Sequence, residues 1–158
     1  MRLPKHRVAV VGSSMGAAAS VLAVSHRLAD VDAMILDSCY TTLAAGILGW
    51  WRFVGGKLLA FVLAPAVFVA WAVTRVNPFD VNITRELEDV DCPVLILHGE
   101  MDKLGGPECA RANFASLSED YDSQLAIFRD ANHGEAKWVC STDYQALVIE
   151  FLDSTLAR

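Results

Sequence analysis

Short apolar runs, each closed by polar or small residues, organise the chain. The first three lack alternation, which is typical of strands covered on both faces of a parallel sheet, and the fourth alternates at its start. These predicted strands are residues 7–11, 33–36, 94–97 and 123–128. Stretches with helical spacing follow at 15–29, 108–117 and 142–156. The order predicts an α/β fold, with a parallel sheet of about four strands and flanking helices joined by right-handed crossovers.

One segment breaks this pattern. Residues 43–76 are rich in aromatic side chains and carry no acidic residue, and the run 58–74 has no charge at all, although Pro65 interrupts it. Three interpretations remain open: a helical cap over a site, a membrane-inserted or interfacial segment, and a buried helical hairpin. The cap is favoured because the segment follows the end of a strand. It makes 43–85 an insertion whose Trp50 and Trp51 line an apolar acyl pocket together with Tyr40 of the preceding loop.

Composition argues against several classes of function. The chain has 158 residues and a net charge of -6 without a basic stripe, which argues against a nucleic acid partner. Its cysteines are widely spaced and form no C-x-x-C pair, which predicts reduced thiols packed in the core and no metal site. Residues 1–6 form a polar lead-in without a secretory signal, so a cytoplasmic protein is expected. The cysteines are Cys39, Cys92, Cys109 and Cys140.

The first strand runs directly into Gly12-Ser13-Ser14-Met15-Gly16, and a helix follows. Strand, tight turn and helix form the context of a nucleophile elbow, in which a strained turn exposes a serine hydroxyl. We expect positions 12 and 16 to require glycine, because a side chain on Gly12 or Gly16 would clash with the adjoining strand or helix. The pattern predicts Ser14 as a nucleophile.

Two further strand ends offer partners for that serine. Asp102 follows the third predicted strand and His133 the fourth, and loops at the carboxyl ends of parallel strands can meet. An imidazole can activate a hydroxyl, and a carboxylate can hold the imidazole in the required tautomer. Asp37, at the end of the second strand, is the alternative acid.

These motifs together resemble the α/β-hydrolase superfamily, especially its serine peptidase and acyl hydrolase-like members. The matching pieces are VVGSSMG at 10–16, ILDSCY at 35–40, PVLILHGEMD at 93–102 and DANHGEA at 130–136. The resemblance implies Ser14 as nucleophile, Asp102 as acid and His133 as base, with the Met15 backbone N–H as an oxyanion donor. It leaves out 43–85, where such families carry variable caps.

The resemblance also implies a missing part. A full member has about four more strands before the elbow, and a loop there supplies the second oxyanion donor. The chain therefore corresponds to the C-terminal portion of the fold. Its first strand is expected to form an open edge, where a second copy or a partner chain could pair.

The predicted function is that of a serine hydrolase. It would cleave an ester, thioester or amide bond of a small acyl substrate through an acyl-enzyme, without a cofactor because water is the second nucleophile. The alternatives are a catalytically inactive truncated fragment and a membrane-associated lipid-binding protein that contacts membrane through 43–76.

Overall fold

A computed structural model describes residues 7–156 of the chain, so the predicted polar lead-in lies outside the described residues. The strands are β1 Ala9–Ser13, β2 Ala33–Asp37, β3 Val94–Gly99 and β4 Gln124–Phe128. They form one four-stranded sheet in the order β1-β2-β3-β4. Every neighbouring pair is parallel. The predicted α/β fold with a parallel sheet of about four strands is confirmed.

The helices fill the connections between these strands and the C-terminal stretch. They are α1 Met15–Ser25, α2 Leu43–Thr74, α3 Ile83–Glu86, α4 Pro107–Ala115, α5 Ala136–Val139 and α6 Ser141–Leu156, with a short 3-10 turn at Leu87–Asp89. Because all strands run the same way, the loops after β1, β2, β3 and β4 emerge at one edge of the sheet. The candidate site residues lie in or directly beside these loops.

The core has two layers, one on each face of the sheet. Every residue of β2 and β3 is buried, and alternate side chains point to opposite faces. Met34, Leu36 and Ile96 pack with α1 on one face. Ile35 and Leu95 pack with Phe151 of α6 on the other. The continuous apolar runs of the central strands follow from this double burial.

The first strand differs from its prediction. Residues 7–11 were expected to be buried on both faces, but Val8 and Val11 are 49% and 62% exposed. In the part of the chain that the structure describes, β1 pairs with β2 on one side only and lies at an edge of the sheet, which agrees with the open edge that the resemblance implied. Burial on both faces is therefore wrong for this strand, because less of the described chain covers an edge strand than a central one.

Helix α1 is shorter than its predicted range, 15–29. It ends at Ser25, where Arg27 adopts a left-handed conformation with φ 57° and the Leu28 N–H donates to the Ala23 carbonyl. This arrangement satisfies the last carbonyls of the helix. His26, interpreted from the sequence as a structural residue at this helix end, lies 3.0 Å from the Glu86 carboxylate.

Helix α2 consists of two helical segments separated at Gly55-Gly56. Gly56 has φ 71°, a conformation that favours glycine, and Pro65 lies inside the second segment. Both ends of the α2 excursion are tied together, because the Leu43 N–H donates to the Val81 carbonyl and Thr42 bridges to Asn82. By length and composition α2 could cross a membrane, and only 11% of its most apolar window is buried. The interpretation of 43–76 as a buried hairpin is therefore wrong.

Candidate active site

The turn between β1 and α1 presents Ser14. Ser14 has φ 53° and ψ -116°, a strained conformation for a residue with a side chain, and its N–H donates to the Asp37 carbonyl at 2.8 Å. A Cβ atom on Gly12 would lie 2.6 Å from the Ala17 backbone, so this glycine is required by a close approach. A Cβ atom on Gly16 would meet nothing within 4 Å. The predicted clash at Gly16 is therefore wrong, because no described residue packs against that side of the helix.

Asp102, in the loop after β3, is held by backbone donors. The N–H groups of Leu104 and Gly105 donate to Oδ1 at 2.8 and 3.2 Å, and the side chain is fully buried. Burial raises the pKa of this carboxyl, but the hydrogen bonds from His133 and from the two backbone groups outweigh it, so the pKa is lowered. Asp102 is thus a stable carboxylate anchor for an imidazole.

His133 connects the acid to the serine. Its Nδ1 lies 2.8 Å from Asp102 Oδ2, and its Nε2 lies 2.8 Å from Ser14 Oγ. A neutral imidazole protonated at Nδ1 satisfies both contacts, donating to the carboxylate and accepting from the serine hydroxyl. The structure therefore brings together the three side chains that the sequence placed at separate strand ends.

Asn132 joins the acid loop to the base loop, and the sequence analysis missed it. Its Oδ1 accepts from the backbone N–H of Lys103 at 3.1 Å and of His133 at 2.9 Å. The Met101 N–H also donates to the Ala131 carbonyl, against which a Cβ atom on Gly99 would collide. Gly99 thus allows the 129–133 loop to cross the end of β3. The only sequence signal was the position of Asn132 directly before the candidate base.

His98 is a second histidine beside Asp102 that received no role from the sequence. It lies inside β3 rather than in the following loop, and its side chain is 1% exposed. Its Nε2 lies 2.7 Å from the Gly105 carbonyl and 3.2 Å from Asp102 Oδ2. A donating Nε2–H therefore fixes the same short loop that holds the acid. Within residues 7–156, His98 Nδ1 has no hydrogen-bond partner.

Asp37, the alternative acid, is engaged elsewhere. Its Oδ1 accepts from Ser38 Oγ at 2.9 Å, and its Oδ2 accepts from the Tyr144 hydroxyl at 3.4 Å. Burial, followed by the nearby Asp37 charge, raises the pKa of Tyr144 to about 12, so this hydroxyl remains a donor at neutral pH. Ser38 Oγ in turn accepts from the Gly134 N–H at 2.9 Å. Asp37 thus supports the base loop through Ser38, and the geometry favours Asp102 as the acid.

A cavity of about 460 Å³ opens onto Ser14 and His133. The first segment of α2 forms one wall through Leu43, Ile47, Trp50 and Trp51, and Tyr40 contributes from the loop after β2. The three side chains predicted for a substrate pocket therefore line this cavity. Its apolar aliphatic and aromatic wall suits an acyl chain better than a charged ligand.

Within the described 7–156, no group of three or more His, Cys, Asp or Glu side chains is arranged to hold a metal ion. Cys39 also lines the cavity, but burial raises the pKa of its thiol to about 12. At neutral pH this thiol is protonated and is a poor nucleophile.

Comparison with known proteins rests on structure. No protein-family model matches the sequence, and no curated protein matches it. The fold is similar to a Pyrococcus furiosus esterase, with a TM-score of 0.69 at 20% identity over 95% of this chain and 54% of the esterase. An acylaminoacyl peptidase from Pyrococcus horikoshii matches with a TM-score of 0.69 at 17% identity, over 95% of this chain and 24% of the peptidase.

A monoacylglycerol lipase from Paleococcus ferrophilus is also similar, with a TM-score of 0.62 at 17% identity, over 95% of this chain and 69% of the lipase. These three similarities agree on the fold. The chain has a partial α/β-hydrolase fold. The predicted resemblance is thus confirmed at the level of the fold, and the chain spans about half the length of the esterase.

The α/β-hydrolase fold explains where the site residues lie. In this fold the nucleophile sits on the strand-to-helix turn, and the triad partners follow in the chain order serine, acid, histidine. Ser14, Asp102 and His133 have this order, and each lies just beyond the carboxyl end of its strand. The helical segment over the cavity occupies the place between β2 and β3.

Proposed function

We propose that this α/β-hydrolase chain is a serine hydrolase that cleaves an ester, thioester or amide bond of a small substrate with an apolar acyl group. One observation carries the proposal. The Ser14 hydroxyl, the His133 imidazole and the Asp102 carboxylate form a continuous hydrogen-bonded line, and its serine end faces an apolar cavity. Nucleophilic catalysis by serine needs this combination of hydroxyl, base and orienting carboxylate.

The geometry supports the following sequence of steps. Ser14 Oγ attacks the acyl carbon while His133 Nε2 takes the hydroxyl proton, and Asp102 stabilises the resulting imidazolium. The tetrahedral intermediate collapses as His133 gives that proton to the leaving alcohol, thiol or amine. Water then attacks the acyl-enzyme with the same histidine as base, which releases the carboxylic acid and restores Ser14.

The developing oxyanion needs a donor. Met15 is the first residue of α1, so its backbone N–H belongs to the free donors at the helix N-terminus, where the helix dipole favours negative charge. Met15 also lines the cavity beside Ser14. We assign its N–H as one oxyanion donor on this basis.

A fluorophosphonate probe tests the proposal directly. Intact-mass spectrometry should show one covalent adduct on the native chain and none on Ser14→Ala. Ser13→Ala is the matched control, because Ser13 is the neighbouring serine, exposed, at the end of β1. The Ser13 variant should label like the native chain and retain hydrolysis of p-nitrophenyl butyrate. Labelling that persists in Ser14→Ala would contradict the assignment.

A second candidate is a domain whose site works only when another chain completes the sheet. The exposure of Val8 and Val11 and the open space beside Gly16 favour it. The occupant of this edge would be a second copy or a partner chain that pairs with β1. A folded native chain that takes up no probe would support this candidate. Its mass in solution, measured by light scattering, would show whether the chain self-associates.

A further inference from the structure

The outer segment of α2 comprises residues 57–74. After Lys57 it is apolar on every side, and large apolar side chains remain exposed beyond the buried positions Ala60 and Val67. Phe61, Phe68, Val69 and Val73 are between 57% and 79% exposed, and Leu58 is 75% exposed. Phe68 and Val69 are adjacent, and successive helical positions point about 100° apart. A helix that docks on one protein surface shows a single apolar stripe, whereas one that is apolar all round belongs in a core or a lipid phase.

The charges beside this segment have one sign. Between Leu43 and Phe79 the charged residues are Arg52, Lys57 and Arg75, while the whole chain has a net charge of -6. All three side chains are exposed, and Lys57 and Arg75 lie at the two ends of the outer segment. Basic side chains at the borders of an apolar helix complement the anionic headgroups of a membrane. An acidic protein that offers such a segment is suited to an anionic lipid surface.

The connections limit how the segment can enter the bilayer. Its length is about 27 Å at the α-helical rise, close to the hydrocarbon thickness of about 30 Å. However, the Ala44 N–H donates to the Pro78 carbonyl, and Leu43 is bonded to Val81, so both ends of the excursion return to one place on the domain. A single span would separate those ends across the membrane. The tied ends therefore favour a segment that lies along one leaflet, with Lys57 and Arg75 at the level of the headgroups.

We propose that residues 57–74 of α2 insert into one leaflet of an anionic membrane and anchor the domain there. If the proposed hydrolase function holds, the anchor also defines a substrate class. The first segment of α2 forms the cavity wall with Trp50 and Trp51, and the second segment enters the lipid, so the site is held next to long-chain acyl esters that reside in the bilayer. The anchoring itself does not depend on catalysis.

Vesicle flotation of the Ser14→Ala chain tests the anchoring without turnover. The chain should float with vesicles that contain phosphatidylglycerol and phosphatidylcholine. Leu58→Asp should weaken binding by about tenfold or more, because a charge would replace buried hydrocarbon. Leu28→Asp is the matched control, since Leu28 is 80% exposed and lies outside α2, directly after α1. Its binding should equal that of the parent chain.

Charge reversal separates the electrostatic contribution to membrane binding from the hydrophobic contribution. Lys57→Glu with Arg75→Glu should weaken binding to anionic vesicles and leave the weaker binding to pure phosphatidylcholine unchanged. Brominated lipids report insertion: in a Trp138→Phe background, quenching of the remaining tryptophans should be strongest for bromines at shallow depth. Strongest quenching at the bilayer centre would contradict insertion into one leaflet.

Other outcomes would overturn the proposal. A chain that stays in solution with anionic vesicles does not anchor, and equal losses for the Leu58 and Leu28 variants would show that the apolar segment is not the contact. A native chain that is dimeric in buffer and becomes monomeric with Leu58→Asp, without vesicle binding, has a second copy on this face.

Activity provides a separate readout on the chain that carries Ser14. Leu58→Asp should lower hydrolysis of a long-chain ester held in vesicles by about tenfold and leave p-nitrophenyl butyrate hydrolysis unchanged. Loss of both activities, or of neither, would contradict the link between anchor and site. Failure of vesicle binding and failure of probe labelling are independent results, so the two proposals can fail separately.

Discussion

Two regions of this molecule differ in what holds them. The loops at the carboxyl ends of β1, β3 and β4 are tied by short hydrogen bonds to buried groups, and their acid, Asp102, is fully buried. Helix α2, in contrast, has 11% of its most apolar window buried, and its outer segment exposes large side chains to solvent. The comparison teaches that the sheet fixes the positions of the site residues through hydrogen bonds. The exposed apolar side chains of residues 57–74 have no such support, and the environment outside the domain determines what they contact.

The largest expected effect lies inside the site. Asp102→Asn should lower kcat by about 10⁴-fold, the loss seen when an asparagine replaces the aspartate of a serine protease triad, because it stabilises the wrong imidazole tautomer. Asp37→Asn, the matched change at the alternative acid, should lose far less because Asp37 bonds to Ser38 and Tyr144. Steady-state hydrolysis of p-nitrophenyl butyrate measures both. A larger loss for the Asp37 variant would reverse the assignment.

The same substitution in the two packing environments sharpens the comparison. Phe151→Ala should lower the free energy of unfolding by about 3–5 kcal/mol, because Phe151 is fully buried between α6 and the sheet. Phe61→Ala should change it by less than about 0.5 kcal/mol in buffer, because Phe61 is 79% exposed. Urea denaturation followed by circular dichroism gives both values. Comparable losses would show that residues 57–74 pack against the domain in solution.

The two glycines beside Ser14 should differ by a smaller amount in their effect on stability. Gly12→Ala should destabilise the fold by about 1–3 kcal/mol, because the new methyl group would overlap the Ala17 backbone. Gly16→Ala should be neutral or stabilise by up to about 1 kcal/mol, because its methyl group meets open space in a helix. Thermal unfolding compares the two variants. A destabilised Gly16 variant would indicate that another chain covers this side of the helix in solution.

The smallest expected effect concerns pH. The folded-state pKa of Asp102 is lowered, so its carboxylate contributes stability that is fully present above the ordinary pKa of 3.8 and is lost as the pH falls through the lowered value. Urea unfolding between neutral and strongly acidic pH should therefore show a steeper acid loss for the native chain than for Asp102→Asn. Identical slopes would mean that the carboxyl gains nothing from its hydrogen bonds.

The sequence was sufficient for the sheet because its signals were local. Continuous apolar runs identify β2 and β3, whose side chains are buried on both faces, and the helix that follows Ser14 begins at Met15 as expected. Its limits were at the edge. Residues 7–11 have the same composition as a central strand, so their composition predicted burial, and only the resemblance pointed to the open edge at which β1 lies with Val11 exposed.

The residues that carry the proposed chemistry were also visible in sequence, because serine, aspartate and histidine each followed a strand. The residues that hold these side chains in place were not visible in the sequence. Asn132 bonds to Lys103, 29 residues away, and Ser38 bonds to Gly134, 96 residues away. His98 received no role because its contact with the acid loop depends on where β3 ends. Such pairings leave no periodic or compositional trace.

By itself, then, the sequence predicted four strands of a parallel sheet, the turn at Ser14 and the three candidate side chains, because hydrophobic periodicity and turn residues act over a few positions. Only the tertiary structure placed Asp102 rather than Asp37 beside His133, showed that Gly16 faces open space and left large side chains of residues 57–74 exposed. The physical reason is that burial and hydrogen-bond partners are set by residues distant in the chain, which the sheet alone brings together.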